Sequence, residues 1–282
     1  MWTVRELRDR SEIFARLRQD RVYAAYAIGD LEPNLCAQCR WWLAEKVAGV
    51  GAEPTRRRER SFAFDRQNGW AVALLFGGLD PPALFCMGEP AGVAAALDWA
   101  SLPSCVYLTA RPEHWREIEK RYHLRFANPM WRMTLDAASF SPAEDSSVVR
   151  LRPSDAGRLQ ELYDHGEGGD ADGYAPFQVE QGVFYGIVVE GHLVSVAGTH
   201  LVAPSYGLAA LGNVFTHPRH RRRGYATVCT SAVTSDLVAQ GLEVVLNVAE
   251  ANEPAVGLYR RLGYRVHCRF VEGIGQATTP VQ

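Results

Sequence analysis

The chain has 282 residues, 47% of them hydrophobic and 22% charged, with 30 Lys and Arg against 32 Asp and Glu and a formal net charge of −2. A chain of this length favours two domains over one, and balanced charge gives no global drive for nucleic-acid binding by counterion release. No run approaches the ~18 apolar residues of a membrane span, so no membrane partner is expected.

The N-terminus, Met1 to Glu6, reads as a strand leading into a charged helix rather than as a signal peptide, and a cytoplasmic location is expected. Thr3 to Leu7 is the strand and Arg8 to Gln19 the helix. Tyr23 to Lys46 carries mostly helical periodicity, broken at Pro33. Within it, Cys36-Ala37-Gln38-Cys39 has a CxxC spacing. No second CxxC pair or nearby His pair completes a tetrahedral zinc site, so the two cysteines are read as structural, on one face of a helix from Leu31 to Ala44, and no metal is expected. Arg56-Arg57-Arg58-Glu59-Arg60 is a charge run read as solvated loop. Strands follow at Gly69–Phe76 and Ala83–Met87, then an Ala-rich helix at Pro90–Ala100, a strand at Val106–Leu108 and a helix at Glu113–Tyr122. Ala137 to Ser147, rich in Ser, Ala and Pro, is the expected linker.

The second half repeats this order more strongly. Val148 to Arg152 is a strand, and Ser154 or Asp155 caps a helix that runs to about His165. Gly166 to Gly173 is a Gly- and Asp-rich connection, followed by a short helix at Phe177–Gln181. Phe184–Val189 and Leu193–Val202 form a hairpin around the turn Glu190-Gly191-His192. Gly207–Thr216 is the next strand, Gly224–Gln240 a helix, Val244–Val248 a short apolar strand, Pro254–Leu262 a helix stopped at Gly263, and Tyr264–Val271 a final strand. The recurrence predicts an α/β chain of two related domains, 1–140 and 148–282, each a mostly antiparallel mixed sheet flanked by helices. The competing expectation is one large mixed sheet with helices.

The chemistry concentrates in Gly212 to Ala226. An apolar strand meets a sharp turn at Pro218, then five basic residues, Arg219 to Arg223, then Gly224 at the start of a helix. The first N–H groups of a helix lack intrahelical partners and carry the positive end of its dipole. Glycine lets a phosphate come close to the backbone. Cys229, Ala232, Val233 and Leu237 share one face, so the helix is held on the sheet with its N-terminus at the strand's end. Neither the Gly-x4-Gly-Lys-Ser/Thr of a P-loop nor the Gly-x-Gly-x2-Gly of a dinucleotide fold is present. No DNA- or RNA-binding motif accompanies the arginines. On their own they read as a solvated basic loop.

A second segment, Leu246 to Tyr264, changes that reading. Asn252 stands at or beside an N-cap and Pro254 near the first helical position. Ala255 and Tyr259, four apart, set a small residue beside a phenol on one helix face.

In these two segments the sequence resembles the GNAT superfamily of acetyl-CoA-dependent N-acetyltransferases, and especially its FR47-like branch. The Arg/Gln-x-x-Gly-x-Gly/Ala signature is present as Arg221-Arg222-Arg223-Gly224-Tyr225-Ala226. The Asn-x2-Ala-x3-Tyr-x3-Gly-Tyr/Phe signature is present as Asn252, Ala255, Tyr259, Gly263 and Tyr264. The resemblance covers Val149 to Glu272 well, and the first half looks like a degenerate copy, so tandem GNAT-like domains are expected. It implies that the cofactor is acetyl-CoA and that backbone groups of Val214, Phe215 and Thr216 bind its pantetheine arm where two parallel strands splay. It further implies that Arg221, Arg222, Arg223, Gly224, Tyr225 and Ala226 hold the pyrophosphate, that Asn252 contacts the arm beside Ala255, and that Tyr259 protonates the departing thiolate. The reaction so implied is acetyl transfer to a primary amine of a small molecule or peptide.

Many relatives carry a glutamate base on the strand before the phosphate turn. Here that strand offers Asn213 and Thr216, neither of which titrates usefully, with His200 and His217 the nearby imidazoles. Tyr174, Phe177, Tyr185 and His200 are candidate linings of an acceptor pocket. In the first half, Gly88-Glu89-Pro90-Ala91-Gly92 lacks arginine, and Glu89 would repel a pyrophosphate, so that half is not expected to bind CoA. A non-catalytic acyl-CoA-binding or regulatory protein is the alternative to an enzyme, and a nucleic-acid module using Arg219 to Arg223 is a third reading.

Overall fold

The computed structural model describes residues 1–47, 69–165, 174 and 176–278. The charge run at Arg56–Arg60 and the connection from Gly166 to Gly173 lie outside the described residues.

Twelve strands and eight α-helices occur among the described residues. The first half contains β1 (Trp2–Leu7), α1 (Arg10–Leu17), α2 (Ala25–Gly29), β2 (Cys39–Lys46), β3 (Trp70–Phe76), β4 (Ala83–Gly88), α3 (Pro90–Trp99), β5 (Cys105–Ala110), α4 (Pro112–Glu119) and β6 (Tyr122–Leu135). The second contains β7 (Val148–Arg150), α5 (Ala156–Tyr163), α6 (Phe177–Gln181), β8 (Tyr185–Val189), β9 (His192–Ala203), β10 (Leu208–Thr216), α7 (Tyr225–Ala239), β11 (Glu243–Ala249), α8 (Glu253–Arg261) and β12 (Tyr264–Ala277). No helix among the described residues is long and apolar enough to cross a membrane.

The expected helix from Leu31 to Ala44 does not form. Cys39–Lys46 is instead a strand, with Trp41, Trp42, Leu43 and Ala44 all buried. A strand covered on both faces reads as an unbroken apolar run, which spacing alone does not separate from a buried helix. Neither Cys36 nor Cys39 is in a disulfide; each thiol donates to a backbone oxygen 3.6 Å away, of Pro33 and Leu35. Asp155, one of the two expected caps, stands at the N-cap position of α5, which begins at Ala156 after a 3₁₀ turn over Pro153–Asp155. The Asp155 carboxylate accepts from the Arg152 N–H instead of capping the helix.

The chain divides into two compact units composed differently from the consecutive ranges 1–140 and 148–282. One unit contains residues 1–19, 33–128 and 270–282; the other contains 20–32 and 129–269. Two 14-residue strands, β6 and β12, each contribute residues to both units. In the first unit β1 to β4 pair antiparallel in sequence order, β4 pairs parallel with β5, and β5 pairs antiparallel with the end of β12. In the second, β6 pairs antiparallel with β11, β11 parallel with β10, and β10, β9, β8 and β7 follow antiparallel. Within each unit the strands are part of a mixed sheet and pair mostly antiparallel with one parallel pair, and each parallel pair is connected through a helix, α3 or α7, as parallel strands require.

The core of the second unit lies in two clusters. Cys229, Val233 and Leu237 of α7 pack with Leu246 and Val248 of β11 and with Val256, Leu258 and Tyr259 of α8. Leu159, Leu162 and Tyr163 of α5 pack with Val179 of α6, Val196 of β9 and Phe215 of β10. Residues 20–32 are tied to this same unit by polar contacts. The Arg21 guanidinium pairs with Glu243 at 2.6 Å and donates to Tyr206 O. The Glu32 carboxylate accepts from the Ser205 N–H and hydroxyl, and Asp20 meets His267 at 2.7 Å.

Candidate active site

Two strands in the second unit run parallel and then part. β10 and β11 pair only over Leu208–Leu211 and Glu243–Leu246. Beyond that, Phe215 and Thr216 stay paired with Val196 and Ser195 of β9, while Asn247 to Ala249 stay paired with Arg132 to Met130 of β6. Each strand follows its outer neighbour, so a wedge opens at their C-terminal ends. Val214, Phe215 and Thr216 edge that wedge, where their backbone groups were expected.

The parting is built into β10 by a register shift between Gly212 and Phe215. Asn213 sits inside it in the left-handed region at φ 52°, which few non-glycine residues other than Asn adopt. Backbone groups displaced by a bulge need new partners, and side chains supply them. The Asn213 N–H donates to His200 Nε2 at 3.3 Å, and its carbonyl accepts from the Tyr163 hydroxyl at 2.8 Å. Its own Nδ2 donates to Gln178 Oε1 at 3.1 Å and to Thr199 O at 3.2 Å, leaving the side chain 4% exposed.

His200 is held on its other side by the Tyr26 hydroxyl, 3.0 Å from Nδ1. Because Nε2 already accepts from a fixed backbone N–H, the neutral ring carries its proton on Nδ1 and donates it to Tyr26. A second proton would face the Asn213 N–H. Burial lowers the imidazole pKa to about 4, with the Asn213 side chain, as distinct from its backbone N–H, acting in the opposite direction. His200 is thus locked neutral with no lone pair left for an incoming amine, which removes it as a base.

The phosphate turn follows β10. Pro218–His220 form a 3₁₀ turn, capped by His217, whose Nδ1 accepts from the Arg219 N–H at 3.2 Å. Arg221 Nε donates to Thr216 O at 3.2 Å and its guanidinium lies 5.9 Å from the Phe215 ring centre. Arg222 and Gly224 both take positive φ, at 63° and 84°, and α7 then begins at Tyr225 with no side chain capping its first turn. A Cβ at Gly224 would meet nothing within 4 Å, so glycine serves the backbone angle there rather than space. Arg221, Arg222 and Arg223 are all exposed around this uncapped helix end.

α8 starts beside the matching end of β11. Asn252 caps it, its Oδ1 accepting from the Ala255 N–H at 3.2 Å, with Pro254 in the first turn. Tyr259 is 6% exposed, packed in the α7–β11–α8 core, with its ring 6.0 Å from that of Tyr264. The Tyr264 hydroxyl in turn meets Thr234 Oγ1 at 2.8 Å.

Of the four acceptor-pocket candidates, the structure keeps only some near one another. Tyr174 packs on Tyr163 and Phe184, with ring centres 4.8 and 6.5 Å away, and Phe177 on neighbouring α6 is 51% exposed. Tyr185 belongs to the other cluster, where its hydroxyl donates to Asp236 of α7 at 3.2 Å and Arg150 covers its ring. Tyr26, Tyr163 and Gln178 were not singled out from the sequence. No local motif marks them, and Tyr26 lies 174 residues from its partner His200. Among the described residues, no group of three or more His, Cys, Asp or Glu could hold a metal ion.

The first unit treats the same position differently. β4 stays in register with β3 up to the pair Ala71–Gly88, with no bulge. His114, in the first turn of α4 and 1% exposed, donates from Nε2 to Gly88 O at 2.8 Å. This hydrogen bond ties the end of β4 to the start of α4.

The profile of the FR47-like protein family matches residues 184–271, which contain the wedge, the basic turn and α8. This segment of the second unit is similar to that family. Solved structures of this fold extend the likeness to the whole chain. A GCN5-related N-acetyltransferase from Sphaerobacter thermophilus shares 18% identity and a TM-score of 0.58, covering 99% of this chain and 96% of its own. A Drosophila protein shares 14% identity with a TM-score of 0.65, covering 97% and 98%. A tandem GNAT protein from the clavulanic acid biosynthesis pathway shares 12% identity with a TM-score of 0.55 and full coverage of both chains. At these identities the likeness shows that the chain shares the fold of these proteins. No curated protein matches the chain.

Proposed function

We propose that this GNAT-fold chain transfers an acetyl group from acetyl-CoA to a primary amine, and that the second unit alone holds the cofactor. The observation that carries the reading is the wedge between β10 and β11, ending on an uncapped α7 N-terminus ringed by Arg221, Arg222 and Arg223. A wedge between parallel strands offers backbone donors and acceptors to an amide-containing arm. An uncapped helix start with glycine in its turn suits a pyrophosphate. Bound acetyl-CoA supplies the electrophile, a thioester carbonyl.

The chain's own groups have three tasks. Backbone N–H groups at Val214 to Thr216 orient the arm and polarise the carbonyl. Tyr259, on α8, delivers a proton to the departing thiolate. With Asn213 where a carboxylate base stands in many relatives and both His200 nitrogens engaged, no side chain on these strands takes the amine's proton. The acceptor is then used as free amine, or loses its proton to water. The first unit, with β4 unbulged and His114 closing its end, is read as non-binding and as support for the second.

A non-catalytic acyl-CoA-binding role is the second reading, favoured by the absent strand carboxylate and the burial of Tyr259. Thiol release from acetyl-CoA over a panel of primary amines separates the two. Release that disappears in Tyr259→Phe supports the enzyme; tight CoA binding with no release for any amine leaves the binding protein.

A further inference from the structure

Three imidazoles crowd together beside the phosphate turn. The His165 and His217 ring centres are 4.7 Å apart and those of His217 and His220 5.6 Å, both edge-on. They line a cavity of about 210 Å³ between α5, the β8–β9 turn and the end of β10. His217 and His220 belong to the same turn that leads into Arg221–Ala226, whereas His165 reaches it from α5.

We propose that His165, His217 and His220 form a protonatable extension of the anion site, which meets the phosphate charge of a CoA-type cofactor by taking a proton from solvent. The inference rests on the cofactor reading above and adds to it residues that neither GNAT signature contains.

The charged groups facing the cluster set its direction. From the turn itself, Arg219 and Arg221 add positive charge beside His217. Burial and then the neighbouring His165, His220, Arg219 and Arg221 lower the His217 pKa below its usual value. From α5, Arg158 also lines the cavity, but its guanidinium is engaged by Asp155 at 3.2 Å. Glu161 of α5 and Glu190 of the β8–β9 turn bring carboxylates to the same cavity, with His192 beside them, all exposed as Arg219 and Arg221 are, so salt screens both signs alike. Without a ligand, the positive charge of the turn opposes protonation of His217. A phosphate group arriving at the adjacent helix end reverses that balance, because an opposite charge nearby favours the charged form of an imidazole.

The sign follows. Cofactor binding raises the imidazole pKa values, so protons are taken up on binding, and affinity rises as pH falls through the imidazole range. One proton of His217 is already placed: Nδ1 accepts from the Arg219 N–H, so the neutral ring carries its proton on Nε2.

Isothermal titration with dephospho-CoA tests this, because its pyrophosphate does not titrate near neutrality whereas the 3′-phosphate of CoA does. At pH 6.5, heats measured in buffers of differing ionisation enthalpy are expected to show uptake of roughly 0.3 to 1 proton per cofactor bound, the range an induced imidazole shift allows. Affinity is expected to rise about two- to tenfold per pH unit between pH 7.5 and 6. His165→Gln, at an exposed position in the turn after α5, should reduce the uptake, and His165→Gln with His217→Asn should reduce it further, since an Asn oxygen can still accept from the Arg219 N–H. Binding without buffer dependence, or uptake unchanged in both variants, overturns the proposal while leaving the cofactor reading intact. Absence of dephospho-CoA binding at any pH defeats the cofactor reading and this inference with it.

Discussion

The lock on His200 makes a quantitative prediction about stability and pH. Its Nε2 accepts from the Asn213 N–H at 3.3 Å and its Nδ1 sits 3.0 Å from the Tyr26 hydroxyl. In the folded protein the ring resists protonation down to about pH 4, whereas its ordinary value is 6.5. A histidine whose folded pKa is depressed binds protons better when unfolded, so folding stability is lost as pH falls below the unfolded value. The contribution is intact above about pH 6.5. Between that value and pH 4 the loss grows by about 1.4 kcal/mol per pH unit, reaching about 2 kcal/mol at pH 5. Other groups titrate in the same range, so the measurement is a comparison: urea unfolding of the wild type and His200→Gln at pH 7.5 and 5.0. The wild type should lose about 2 kcal/mol more than the variant between the two conditions. Equal losses would mean that the imidazole is solvated and free to charge, and the lock on Asn213 would be wrong.

Other substitutions test the site element by element. Gly224→Ala places a Cβ at φ 84° and should cost about 1 kcal/mol in urea unfolding while weakening CoA binding; unchanged stability would show that the turn does not need the left-handed angle. Asn252→Ala removes the cap on the Ala255 N–H and should cost about 1 kcal/mol; a cost near zero would mean water replaces it. Tyr259→Phe keeps the packed ring and should lower turnover by about 100-fold or more if the hydroxyl protonates the thiolate, whereas undiminished turnover removes that role.

Most elements of the second half were legible because their signals are local. Gly191 in the β8–β9 turn, Asn252 and Pro254 at the start of α8, and Gly263 at its end each act through the backbone of their own few residues. Cys39–Lys46 was misread because a strand with Trp41, Trp42, Leu43 and Ala44 all buried loses the alternation that marks a half-buried one. β6 was not foreseen: Arg125, Asn128 and Pro129 interrupt its apolar pattern, and its pairing with β11 is what holds Met130 to Leu135 extended. No composition shift marks residues 20–32, which group with residues 129–269 in the fold. Arg21, Glu32 and Asp20 find their partners at Glu243, Ser205 and His267 only once the chain is folded.

The chain order of strand, basic turn, Gly224 and helix was enough, by itself, to place a helix start ringed by arginines after Thr216 and a sharp second one after Ala249. A helix end is positioned by its immediate neighbours in sequence, and the capping and left-handed residues are those neighbours. Only the tertiary structure decided that β10 and β11 part after Leu211 and Leu246, because parting depends on each strand being held by a different outer partner. It alone placed Tyr26 on His200 and gathered His165 beside His217 and His220. Those groups share no spacing along the chain, and only packing against one sheet makes them neighbours.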